Sequence, residues 1–161
     1  MTGYRIGHGF DVHRLVGGRP LLLGGIRVEH DRGLEGHSDG DCLVHALCDA
    51  LLGAAAAGDM GRHFPSSDPR WKGASSLRFL DEVVRLVKEK GYRVENVDVT
   101  VVAEAPPLAP YMEPMRLVLS RSLGIDPEAV SVKAKSADGL GALGRAEGIA
   151  AHATALLVSR P

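Results

Sequence analysis

The segment GFDVHRL, residues 9–15, sets an aspartate and a histidine two positions apart. Alternate side chains of a β-strand share a face, so Asp11 and His13 point the same way from Cα atoms about 6–7 Å apart. A carboxylate oxygen and an imidazole nitrogen on one face are half of a metal site. They are equally the residues of a polar strand face wetted by solvent. Farther on, Asp41, His45 and Asp49 stand at i, i+4 and i+8, one face of a helix. Leu43, Ala46, Leu47, Ala50 and Leu51 supply an apolar opposite side. A histidine between two carboxylates is well placed as an oriented ligand, because Asp–His pairing fixes the tautomer and raises basicity. Joined to Asp11 and His13 it makes two nitrogens and one oxygen. Three protein ligands with one open position is the pattern of catalytic rather than structural zinc. The competing reading leaves Asp41 and Asp49 as solvent-facing charges.

His8, His37 and His63 are further candidates for phosphate contact or proton transfer, each alone an ordinary surface histidine. His37-Ser38 stands out because it adjoins a helix N-terminus, whose free N–H groups suit anions. GLGALG (139–144) fits G-x-G-x-x-G, but the segment after it reads as a strand, and only 17 residues follow Gly144. The acidic ribose partner of a dinucleotide site therefore has no place, and the glycines are read as a tight turn. Arg145 and Glu147 are two apart, on one side of a strand, and read as a surface ion pair. Cys42 and Cys48 fall on different faces of a helix, with no CxxC, and read as reduced, packed thiols.

Several elements must position these groups. The 161 residues suit one domain, 1–161, with no linker or repeat dividing it. A formal net charge of −1 gives no basic footprint for nucleic acid. No run of 18 apolar residues and no charged-then-apolar leader appears, so a soluble, cytoplasmic protein with no membrane partner is expected. Residues 4–13 read as a strand, and 20–30 as a strand bent at Gly24-Gly25. Ser38 and Asp41 resemble a capping box opening a helix that runs to about Ala57. Residues 58–73 read as a long polar loop. Residues 75–91 read as an amphipathic helix with Leu77, Leu80, Val83, Val84 and Val87 as its stripe, stopped by Gly91. Residues 97–105 and 130–136 read as strands, and 111–124 as a helix with Pro114 in its first turn. The closing GIAAHATALLV reads as a strand despite its alanines. The fold expected is α/β (α+β), a mixed sheet with helices mainly on one face.

Four stretches resemble 2-C-methyl-D-erythritol 2,4-cyclodiphosphate synthases in one register: GHGFDVHRL, GHSDGDCLVHALCDALLGAAAAGDMGRHFP, NVDVTVVAEAPPLAPY and VKAKSADGLGALGRAEGIA. The resemblance implies a phosphorus–oxygen lyase of the non-mevalonate route to isoprenoids. Its substrate is the cytidine diphosphate ester of methylerythritol 2-phosphate; the 2-phosphate attacks the β-phosphorus and CMP leaves. It implies that Asp11, His13 and His45 hold Zn2+, that Val12 lies against the substrate between the first two, and that His37 and Ser38 contact the attacking phosphate. Asp59, Met60 and Gly61 would hold the methylerythritol hydroxyls, and Phe64, Pro65, Ser66, Ser67 and Asp68 would close over that end. The resemblance also implies a homotrimer with sites between subunits. A neighbour's Ala103, Glu104, Ala105, Pro106, Pro107, Leu108 and Ala109 would then line the cytidine pocket. The neighbour's Lys135, Ser136, Ala137 and Asp138 would grip the diphosphate, with Ala142 and Arg145 close by. His37 and Ser136 match the family's transition-state stabilisers. Asp138 matches a glutamate that binds a second ion, Mg2+ or Mn2+. Phe10, Arg145 and Glu147 match the lining of an axial cavity that takes isoprenoid diphosphates.

The chain departs from the family pattern at a few points. Asp138 is one methylene shorter than the glutamate. Lys135-Ser136-Ala137 replaces a threonine run but keeps one hydroxyl. Ala142 stands where some members carry an aromatic residue, and Pro107 where a lysine is sometimes found. Two other functions use the same residues: a metal-dependent phosphohydrolase that activates water, and a non-catalytic trimer that binds isoprenoid phosphates.

Overall fold

The structure, a computed structural model, describes residues 3–160. Strand β1 (Tyr4–Gly17) opens the chain and pairs antiparallel with the last strand, β7 (Gly148–Ser159), from Tyr4↔Val158 to Arg14↔Gly148. β7 pairs antiparallel with β5 (Tyr92–Val102), and β5 parallel with β6 (Val130–Lys135). A short β4 (Arg32–Leu34) edges β1, so the mixed sheet has the order β4-β1-β7-β5-β6. Three helices, α1 (Cys42–Ala54), α3 (Ser76–Glu89) and α4 (Met112–Leu123), pack on one face. Between α1 and α3 lies a single turn, α2 (Met60–His63), and before β7 another, α5 (Gly141–Gly144).

The alternation of β1 and β7 explains the one-sided layering. Ile149, Ala151, Ala153, Ala155 and Leu157 are buried under helices, as are Val97, Val99 and Val101 of β5. Opposite them in β1 come Gly7, Gly9, Asp11 and His13. A Cβ on Gly9 would lie 1.8 Å from the carbonyl oxygen of Ala46, and one on Gly7 2.0 Å from that of Ala50. Two glycines facing small alanines thus let the backbone of α1 rest directly on β1. α1 is apolar on nearly every side because it fills the centre of this layer. Each buried Leu of this kind contributes about 1.5–3 kcal/mol.

Several sequence expectations change. Residues 20–30 are not one bent strand but a hairpin, β2 (Leu21–Leu23) and β3 (Ile26–Val28). Gly24 and Gly25 are its two turn residues, with φ of 59° and 77°, which a two-residue turn of this hand requires. The N-cap of α1 is Asp41, not Ser38: its carboxylate accepts from the N–H of Val44. α1 also stops at Ala54 rather than about Ala57. β5 begins at Tyr92, five residues before the expected start. Arg145 and Glu147 precede β7 instead of lying in a strand, although they do form an exposed ion pair at 2.6 Å. Cys42 and Cys48 are buried and free, and burial pushes both thiols well up, which keeps them unreactive.

Candidate metal centre and substrate cleft

Because Asp11 and His13 share the helix-facing side of β1, and α1 lies in contact with that strand, His45 meets them. Asp11 Oδ2 is 2.8 Å from His13 Nε2 and 3.0 Å from His45 Nδ1, and the two nitrogens are 3.3 Å apart. No other group of three or more His, Cys, Asp or Glu donors converges this way among the described residues. Ligands at about 2.0–2.2 Å around a tetrahedral ion stand roughly 3.3 Å from one another, so these three donors fit a zinc-like ion and leave one position open.

Each histidine is held by its other nitrogen. His13 Nδ1 donates to the carbonyl oxygen of Glu35, which leaves Nε2 with its lone pair toward Asp11 and His45. His45 Nε2 lies 2.9 Å from Ser76 Oγ and 3.2 Å from Ser38 Oγ. Ser76 is fully buried and donates its hydroxyl proton to Asp39. The serine oxygen is then free to accept from His45 Nε2–H, and His45 Nδ1 faces the metal position. A carboxylate does orient His45, but it is Asp39 acting through Ser76. Neither Asp41 nor Asp49 does so. Asp41 is buried and accepts from the N–H groups of Gly24 and Gly25 at 3.1 and 2.7 Å, tying the hairpin to α1. Asp49 accepts from Met60 N–H at 2.8 Å and so fixes the 59–61 segment.

The electrostatics agree with this geometry. Burial opposes ionisation of Asp11, but when protons rather than a metal ion occupy the facing nitrogens of His13 and His45, their hydrogen bonds and charge outweigh it and hold the carboxyl well below the usual range. Burial likewise opposes protonation of His13, yet the hydrogen bond and charge of Asp11 raise its pKa.

Above the three donors lies a cleft of about 180 Å³ lined by His13, His37, Ser38, His45, Met60, Phe64, Ser66, Trp71 and Phe79. The structure therefore brings His37, Ser38, Met60, Phe64 and Ser66 to the metal donors, as the spacing alone could not show. Trp71 and Phe79 were missed, though both belong to an aromatic block with Phe64, with ring centres 4.8–5.3 Å apart. Asp59 caps α2 by accepting from Arg62 N–H, and Asp68 grips Arg70 with both oxygens, so these carboxylates shape the segment around Gly61, Pro65 and Ser67. A larger cleft of about 710 Å³ lies behind Phe64 and Trp71, away from the metal donors.

Two predicted segments are not beside the metal donors in one chain. Ala103 N–H donates to the carbonyl of Lys135, and Glu104 accepts from the N–H of Ala137 at 3.1 Å. Residues 103–109 and 135–138 thus form one cluster, with Ser136 Oγ accepting from Asp138 N–H. The row Val12–Ala150–Val102–Lys135 runs straight across the sheet. The cluster therefore lies at the same end of the sheet as Asp11 and His13, but three strands, about 14 Å, away. Ala142 and Glu147 border a small cleft with Val12 and His13. Phe10 is half-exposed on the helix-free face, its ring 4.8 Å from that of His152, so no axial cavity is enclosed by one chain.

The profile of the YgbB family matches residues 4–158. The chain belongs to this family. Curated relatives bear out the resemblance. The 2-C-methyl-D-erythritol 2,4-cyclodiphosphate synthase of Laribacter hongkongensis is 60% identical over 97% of this chain and 96% of its own. That of Azotobacter vinelandii is 59% identical over 96% and 99%. Among solved structures, the bifunctional IspDF of Campylobacter jejuni superposes with a TM-score of 0.95 at 38% identity, covering 99% of this chain and 43% of that one. The CDP complex of Plasmodium falciparum IspF gives a TM-score of 0.87 at 32% identity over 99% and 98%. A YgbB member with this sheet is an enzyme of the cyclodiphosphate synthase type, and its Asp11/His13/His45 donors are grouped so that they could hold a metal ion.

Proposed function

We propose that the protein cyclises 4-diphosphocytidyl-2-C-methyl-D-erythritol 2-phosphate to 2-C-methyl-D-erythritol 2,4-cyclodiphosphate and releases CMP. The observation that carries this reading is the convergence of Asp11, His13 and His45 beneath a cleft that also gathers His37, Ser38, Met60 and Ser66, in a chain 60% identical to a cyclodiphosphate synthase. An oxygen of the 2-phosphate attacks the β-phosphorus; the bond from that phosphorus to the bridging oxygen breaks, and CMP takes the electron pair. Such phosphoryl transfer needs alignment and charge neutralisation more than covalent catalysis. A zinc ion held by Asp11, His13 and His45 would supply a Lewis acid for a β-phosphate oxygen. His37 is exposed at the mouth of the cleft and donates to the phosphoryl oxygens as charge builds. Ser38 holds the 2-phosphate end. The segments 59–61 and 64–68 enclose the methylerythritol.

The reading includes a homotrimer. Tyr4, Ile6, Phe10 and Val12 put an apolar row on the helix-free face of β1, with relative exposures of 67, 74, 49 and 50%. A face of that kind calls for a partner. A second copy would also bring its 103–109 and 135–138 segments to the metal donors, which one chain does not do. Ser136 then stabilises the transferring phosphoryl group, Lys135 adds positive charge, and Asp138 would hold Mg2+ or Mn2+, which would neutralise charge on the diphosphate. Phe10, Arg145 and Glu147 would surround the three-fold axis, where an isoprenoid diphosphate fits. No helix among the described residues is long and apolar enough to cross a membrane, and the reaction is assigned to the cytoplasm.

The test is turnover of the cytidine substrate with zinc and magnesium, products read by phosphorus NMR. CMP together with a cyclic diphosphate is expected. Inorganic phosphate or a linear product would make the protein a phosphohydrolase, and no CMP from the metal-loaded enzyme would leave it a binding protein.

A further inference from the structure

A second pair of histidines stands outside the site described above. His8 in β1 pairs across the sheet with Thr154, and Phe10 with His152, so His8 and His152 are diagonal neighbours on adjacent strands. Both are exposed, and both project from the helix-free face, opposite to Gly7, Gly9 and Ala153. His8 Nε2 is 3.3 Å from His152 Nδ1. That is the separation found between His13 Nε2 and His45 Nδ1 in the metal centre. It is also the spacing of two nitrogens about 2.0–2.1 Å from one tetrahedral ion.

We propose that His8 and His152 form a second transition-metal site on the open face of the sheet, for an imidazole-seeking ion such as Zn2+. The pair is preorganised. Both residues sit in the continuous β1–β7 ladder, and the Phe10 ring packs 4.8 Å from the His152 ring. Across β5 from His152 stands Lys133, bonded to Asp98 at 2.6 Å; Lys135 of β6 and Arg14 of β1 also face this side but lie farther along their strands, opposite Val102 and Gly148 rather than beside the two rings. Two imidazoles contribute two nitrogens and leave half of a tetrahedral shell open. Imidazole donors without carboxylate or thiolate select zinc, copper or nickel over magnesium and calcium. If the trimer reading above is right, this face is the one that meets its copies, and the open positions turn toward them.

The test is calorimetric titration of the metal-stripped full-length protein with zinc alone, in the His45→Ala variant, where the first centre is disabled, and in wild type. The His45→Ala protein is expected to bind zinc at micromolar concentration. A stoichiometry of one ion per chain marks a site within each sheet, and one per three chains an ion shared on the axis; both support the pair as ligands. Adding His152→Gln should weaken this binding by about tenfold or more, and His8→Gln should do the same. In wild type, the single His152→Gln change should remove the weaker zinc phase and leave the tighter one. No zinc binding by a folded His45→Ala protein, or binding that survives both glutamine variants, would overturn the proposal. These readouts need no turnover, so they stand whether or not the cyclisation assay succeeds.

Discussion

Replacing Gly9 by alanine tests the claim that glycine on β1 sets the metal geometry. The new Cβ would stand 1.8 Å from Ala46 O and 2.7 Å from Ala50 N, both backbone atoms of α1. A carbon and a carbonyl oxygen approach to about 3.3–3.6 Å, so α1 must retreat by roughly 1.5 Å. No flexible side chain can absorb that shift, because Ala46 and Ala50 are wholly buried. Overpacking of this kind costs about 3 kcal/mol, which lowers Tm by about 6–12 °C in a chain of this size. The same retreat draws His45 from Asp11, whereas metal–ligand distances tolerate only about 0.2 Å. Zinc affinity, measured by competition with a chromogenic chelator, should fall by orders of magnitude. Gly53→Ala, on the same helix with nothing within 4 Å of its Cβ, should instead raise stability by about 0.5–1 kcal/mol and leave zinc untouched. A Gly9→Ala protein with wild-type Tm and zinc affinity would refute the reasoning.

Three further outcomes follow from the same geometry. Ser76→Ala removes the hydroxyl between Asp39 and His45; zinc affinity should drop about 10–100-fold in a folded protein, and an unchanged affinity would remove Ser76 from the site. Asp41→Ala strips acceptors from Val44, Gly24 and Gly25 N–H and should cost about 3 kcal/mol or more in urea unfolding; a loss below about 1 kcal/mol would show that the clamp is idle. In the metal-stripped protein, the lowered pKa of Asp11 gives stability that is present above its unfolded value of about 3.9 and lost as pH falls through the folded value. The raised pKa of His13 gives stability that is full below about 6.5 and lost as pH rises through its folded value. Thermal melts should therefore show a maximum between about pH 4 and 6.5 that Asp11→Asn flattens; the same maximum in that variant would assign the window to other groups.

What the sequence disclosed and what it hid divide along the range of the interactions. The Asp11/His13 pair was legible because strand alternation is local, and the edges of α3 and α4 because periodicity and Gly91 or Gly124 are local. β7 was legible despite its alanines, since a glycine-rich turn precedes it; its small side chains turn out to be what α1 rests on. The early half of β5 was hidden because the register shifts between Val94 and Asn96, and an extra residue breaks the period of two on which strand reading relies. β4 was hidden because three residues carry no period. At the site the error has the same origin. Helical spacing correctly put Asp41, His45 and Asp49 on related turns, but it could not say that Asp41 faces Gly24 and Gly25, or Asp49 Met60. The carboxylate that does govern His45 lies six residues before it and acts through a serine 31 residues after it. Only the packing of α3 against α1 closes that relay, so the orientation of His45 is a property of the tertiary fold and not of its own helix.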